Sequence, residues 1–336
     1  MRACSWHARR AACRLQPPGV KPQRVRTVAD QAWPSLPYEA WADTHQTLHL
    51  WLQIIGKIRL AQSAWINHSW HVALEVTANG LSTLALPHGT RAFQIDFDFT
   101  AHRLLVQTSD GASRSIALAP KSVAAFYREV MGALQALGVP VKISTTPSEL
   151  SDPIPFPEDE THRAYDAEYA NRFWRVVLQA NRVLKVFRAR FRGKSSPVHF
   201  FWGNTDLALT RFSGRPAPRH PGGRPHLPDW VLRDAYAQEC FECGFWPGEA
   251  SNPQGGFYGL AYPEPPGFKS AVVMPSAARY SEELGEFLLP YEAVRRSSSP
   301  DDTVLEFLQS AYEAAATFGN WDRAALEYPR EPGHSC

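Results

Sequence analysis

One arrangement occurs twice along this chain and constrains its fold more than any other feature. A long amphipathic helix ends in a basic, glycine-containing stretch and leads into a strand bearing histidine and tryptophan. The first copy runs from Trp41 through Gly56-Lys57-Ile58-Arg59 to Asn67-His68-Ser69-Trp70-His71. The second runs from Phe173-Trp174 through Arg192-Gly193-Lys194 to His199-Phe200-Phe201-Trp202-Gly203. Two similar halves form a cleft between them, and clefts at such junctions are where ligands tend to sit.

Periodicity fills in the halves. Trp41, Thr44, Leu48, Trp51, Leu52, Ile55 and Ile58 make one stripe at helical spacing, predicting a helix over about 38–62. Residues 70–77 alternate as a half-buried strand, as do Phe93, Ile95, Phe97 and Phe99, and Ser109-Asp110-Gly111 is a hairpin turn. Ser122 caps a helix that Gly138 and Pro140 stop, and Val141 to Ser144 add a short strand. The Pro- and acid-rich segment 145–160 divides the halves. Beyond it a helix spans about 166–192, with Trp174 and Leu178 on its basic side predicting a contact between halves. Paired strands at 198–202 and 207–212, a long Pro/Gly/Arg loop over 213–228, aromatic strands and a final helix after Ser299 follow. The fold class is α+β: two similar halves, each an antiparallel sheet with a long amphipathic helix packed on it. Residues 1–32 read as a disordered N-terminal extension or the product of a start assigned too far upstream, 33–150 and 151–328 as the halves, and 329–336 as a tail.

Charge and cysteine usage exclude several classes. Residues 1–29 carry seven Lys/Arg and no acid, leaving 28 of the 35 basic residues against 33 acidic ones, so a nucleic-acid partner is not expected. Five scattered cysteines fit a reducing, cytoplasmic setting. The absence of a long apolar run predicts no membrane partner.

The strings Leu48-His49-Leu50-Trp51, Gly56-Lys57-Ile58-Arg59-Leu60, Asn67-His68-Ser69-Trp70-His71-Val72, Phe97-Asp98-Phe99, Ser196-Pro197-Val198-His199-Phe200-Phe201-Trp202-Gly203, Thr210-Arg211-Phe212-Ser213-Gly214-Arg215, His220-Pro221-Gly222-Gly223 and Gly285-Glu286-Phe287-Leu288-Leu289-Pro290-Tyr291 resemble a bacterial domain family of unknown function, DUF5996, over about Trp33 to Leu326. The resemblance implies a soluble bacterial protein and brings no activity, cofactor or catalytic residue.

Site chemistry therefore rests on the residues. His71 and His199 are the acid/base candidates, and Arg211, Arg215, Arg219 and His220 the clamps for a small carboxylate or phosphate ligand, since the guanidinium fork matches those oxygens. Trp70 and Trp202 line the ligand. His45 and His49, four apart on one helix face, and Asp96 and Asp98, two apart on one strand face, are weak metal candidates that compete with a structural reading. No Walker pattern and no G-x-S-x-G occur, and Cys240-x-x-Cys243 lacks a second pair. The expectation is a small-molecule enzyme or enzyme-like protein with an anion pocket between the halves. The alternative is a non-catalytic module that binds a ligand or peptide through Trp70, Trp202, Phe201 and Tyr258.

Overall fold

The computed structural model describes residues 32–250 and 252–328; the expectations for 1–31 and 329–336 lie outside the described residues. Among the described residues seven α-helices, α1 (Ala42–Gln62), α2 (Val123–Ala136), α3 (Ala167–Ala189), α4 (Asp229–Ala235), α5 (Tyr291–Arg296), α6 (Pro300–Phe318) and α7 (Arg323–Leu326), accompany two six-stranded antiparallel sheets. The first sheet holds β1 (Glu75–Val76), β2 (Gly80–Ser82), β3 (Leu86–His88), β4 (Arg91–Asp98), β5 (Arg103–Thr108) and β6 (Ser113–Ala117). Its order is β1-β2-β4-β5-β6, with β3 also on β4. The second holds β7 (His199–Phe201), β8 (Asp206–Pro216), β9 (Gln238–Trp246), β10 (Gly256–Tyr262), β11 (Arg279–Ser281) and β12 (Glu286–Pro290), in the order β11-β12-β10-β9-β8-β7.

The sheets meet edge to edge. Leu74 and Phe200 exchange both backbone hydrogen bonds at 2.8 Å, an antiparallel bridge that sets β1 beside β7. Outward from this seam each half runs in nearly sequential strand order, and each is preceded by its long helix.

The elements follow from the patterns that predict them. The α1 stripe is fully buried, and Trp51 stacks on Phe126 of α2 with centroids 4.5 Å apart. Ser122 accepts from Ala125 N at 3.1 Å, and Gly138 ends that helix in the left-handed region at φ 67°. Asp166 caps α3 by accepting from Tyr169 N. Trp174 is buried and donates to Thr77 O across the halves at 3.3 Å, as its place on the basic side of the helix predicts. One apolar cluster runs from Trp33 through α1, both sheets and α3 to α6. Trp33 itself crosses to the second half, 6.1 Å from Phe257.

Two strand expectations fail. Residues 70–73 are not extended: His68 and Ser69 take left-handed φ of 60° and 58°, and pairing starts only at Leu74. A distant carboxylate forces the turn, because Asp234 Oδ2 accepts His68 N–H at 2.6 Å and Ala235 O accepts its Nδ1–H at 2.9 Å. Residues 141–144 form no strand, having no ladder partner among the described residues.

Candidate functional site

The second sheet uses its faces unequally. With a side-chain period of two, Leu207, Leu209, Arg211, Phe241, Cys243, Phe245, Phe257 and Leu289 point to one side and pack under α3 and α6. The other side carries Asp206 from β8, Glu242 from β9, Tyr258 from β10 and Glu286 from β12, as the pairs Ala208↔Gly244, Gly244↔Tyr258 and Tyr258↔Leu288 fix the register. Three neighbouring strands and a fourth thus deliver three carboxyls and a phenol to one patch.

These groups are bonded to one another. Tyr258 OH donates to Asp206 Oδ2 at 2.8 Å, and Tyr236 OH donates to Glu242 Oε2 at 2.9 Å. Burial, reinforced by the charge of Glu242, pushes the Asp206 carboxyl up to about 7. Burial with Glu242 and Asp206 beside it pushes Glu286 up to about 8. Glu242 is raised by burial, against the pull of the Tyr236 hydroxyl and Arg224. Like charges crowded away from water cannot all ionise, so protons stay on the patch at neutral pH.

The segment joining the halves closes one side. Glu149 lies against Gly203, where an added Cβ would stand 2.1 Å from its Oε1. Its backbone N–H donates to Pro225 O at 2.8 Å, tying the long loop down. Burial raises the Glu149 carboxyl, while Arg224, the Asn204 side chain and Lys57 work against that rise. The charge of Arg224, exposed on the loop, favours the ionised forms of Glu149, Glu242 and Glu286. Glu149 and Thr205 both sit at positive φ, 63° and 58°, so backbone strain concentrates here.

Helix α1 supplies the remaining wall through a polar row spaced four residues apart. His45 Nε2–H donates to Thr205 Oγ1 at 2.8 Å, and His49 Nε2–H donates to Gly203 O at 2.7 Å. Gln53 brackets Ser148, donating to its carbonyl at 2.9 Å and accepting its N–H at 2.8 Å. Lys57 donates to Ser148 Oγ at 2.9 Å and lies 5.8 Å from the Trp202 ring centre. Burial lowers its ammonium to about 8, with Glu149 opposing that fall. Beside Lys57 an open cavity of about 430 Å³ is lined by Ser144, Thr146, His226, Leu227 and Pro228.

The predicted site residues fall in several places. The arginine clamps do not converge. Arg211 is buried in the core, its guanidinium 3.5 Å from the Phe187 ring centre and 4.5 Å from that of Tyr312, and it donates to Phe187 O. Arg215 pairs with Glu239 and reaches the carbonyls of Gly319 and Asn320, while Arg219 is exposed on the loop. His220 lines the outer side of Tyr236, stacked at 4.9 Å. His199 shares the carboxyl-bearing face but sits at Phe201, with burial and Arg59 lowering its imidazole to about 3 and its Nε2 unpartnered. His71 accepts from Ile66 N at 3.2 Å and packs on Trp65. Trp202 is buried and donates to Val72 O, and Trp70 packs on His68 and Phe212, so neither forms an open platform. Trp65 and Trp230, by contrast, are both exposed and lie with ring centres 4.9 Å apart.

The metal candidates are also separate. The ε nitrogens of His45 and His49 are engaged by protein oxygens. Asp96 accepts from Gln94 and Asp98 from Thr100 and Ala101, both on the first sheet. Among the described residues no group of three or more His, Cys, Asp or Glu is placed to hold a metal ion.

Sequence reasoning missed Lys57, Glu149, Glu242 and Glu286 as site residues. The available signal was an acid at alternate positions within aromatic strands, as at Glu242 between Phe241 and Cys243.

Compared with known proteins, residues 33–328 match the model of a family described as "Family of unknown function (DUF5996)". No curated protein and no solved structure matches.

Proposed function

The chain belongs to the DUF5996 family, and since that membership carries no activity, we propose from the geometry that it is a small-molecule enzyme or enzyme-like protein whose site is the recess between its halves. Lys57 and Arg224 hold an anionic or carbonyl oxygen of the ligand, and the carboxyls behind them exchange protons with it. The observation that carries this reading is the patch of Asp206, Glu242 and Glu286 on adjoining strands, with two of them raised into the neutral range. A group useful as acid or base at neutral pH needs such a value, and clustered perturbed carboxyls are a mark of functional sites. The same carboxyls favour a ligand with hydroxyl or amino groups next to its anionic end, because a purely anionic molecule would meet repulsion.

Native mass spectrometry against a panel of small oxo acids, amino acids and sugar acids tests the reading, with Asp206→Asn/Glu242→Gln as the comparison. A compound retained by the wild type and lost from the folded double variant supports it. Equal binding to both proteins, or no binding to either, overturns it.

A further inference from the structure

We propose that Lys57 is a nucleophilic amine that forms a Schiff base with a small oxo acid entering the cavity beside Ser144, Thr146 and His226. This rests on reading the recess as a small-molecule site and adds the covalent step and the substrate class.

The geometry sets Lys57 apart from a surface lysine. It lies on α1 and is only 7% exposed as a whole residue. Lys57 is one of the residues that line the cavity, and its amine is held by a neutral hydroxyl, Ser148 Oγ. The serine is itself fixed through its backbone by both ends of the Gln53 amide, so the amine has a defined position. The Trp202 ring, its centre 5.8 Å away, takes the place of water on one side of the amine. A deprotonated amine gives up the contact of its charge with that ring but keeps Ser148, whose hydroxyl can turn and donate to nitrogen. With its value near 8, the neutral amine at pH 7 is more abundant by about two orders of magnitude than in an ordinary lysine.

Glu149 supplies the proton transfers. Lys57 nitrogen adds to the carbonyl carbon, the carbon–oxygen π bond opens, and that oxygen takes the proton of the Glu149 carboxyl. The added nitrogen returns one proton to Glu149. The new hydroxyl takes it and leaves as water as the carbon–nitrogen double bond forms, and the iminium nitrogen passes its remaining proton back to Glu149. Amine and carbonyl are consumed, imine and one water are produced, Glu149 ends as it began, and nothing is oxidised. Arg224, whose charge acts on Glu149 from the loop, takes the carboxylate of the oxo acid.

The test is reductive trapping of the full chain with glyoxylate and cyanoborohydride at pH 7, followed by peptide mapping. Carboxymethylation of Lys57 is expected to lead that of exposed Lys142 and Lys269 by at least about tenfold. Glu149→Gln is expected to slow trapping at Lys57 and shift its pH profile without changing the other lysines. Lys57→Arg removes the leading label; if that variant does not fold, mapping of the wild type decides alone. Labelling of Lys57 no faster than of Lys142 overturns the proposal. Glyoxylate binding measured by ligand-observed NMR without reductant separates the two readings. Saturable binding without Lys57 labelling rejects the covalent step and leaves the recess as a ligand site, whereas neither binding nor labelling rejects the Schiff base with a small oxo acid and leaves the recess to be decided by the wider panel.

Discussion

At Asp206, burial and two neighbouring acids act on the same proton. The native state keeps that proton up to about pH 7, whereas an unfolded aspartate releases it near 3.8. Between those values the native state binds more protons, so stability present below the lower value is lost as pH rises through the upper one. Asp206→Asn retains an acceptor for the Tyr258 hydroxyl and removes the charge. Calorimetry is expected to show the variant more stable than wild type at pH 8.5, by up to about 4 kcal/mol, with no gain at pH 4; a difference independent of pH would reject this account. Arg211 makes the opposite point about charge. From the sequence alone it reads as a ligand clamp, because an isolated arginine in a sequence says nothing of the three aromatic rings around it. Arg211→Ala is expected to cost about 3–5 kcal/mol in denaturant unfolding by leaving an unfilled aromatic box, and to leave ligand binding per folded molecule unchanged.

Among the elements, α1 divides what was legible from what was not. Its apolar stripe could be read directly, as could the alternation of β4 and the Ser122 cap, because these depend on neighbours a few residues away. The polar row of His45, His49, Gln53 and Lys57 shares the same four-residue spacing, but its meaning lies in Thr205, Gly203 and Ser148, which only the folded chain brings near. The turn at His68 was hidden for the same reason, since its partner Asp234 is 166 residues away. Gly56 shows how closely α1 approaches the second half: a Cβ there would stand 2.2 Å from the Trp202 ring. Gly56→Ala is therefore expected to destabilise by about 1–3 kcal/mol in urea titration, despite the roughly 1 kcal/mol that alanine gains in a helix. A stabilised variant would show that the ring moves freely aside.

At the scale of the whole molecule, the repeated order of helix and strands was visible in sequence, whereas the seam at Leu74 and Phe200 was not. The seam and the shared core make the halves mutually dependent. Heating is expected to give one calorimetric transition whose enthalpy equals the van't Hoff value, and two separable transitions would contradict that dependence. The polar row of α1 has a further, mechanical consequence. Its anchors are distributed over 12 residues of helix, about 18 Å, and each meets a fixed atom of the opposing wall. A slide of α1 by one residue would misalign every anchor at once, so intermediate positions gain nothing. The helix has one seat, and the amine at its end is either at full depth or, when the halves part, not presented at all.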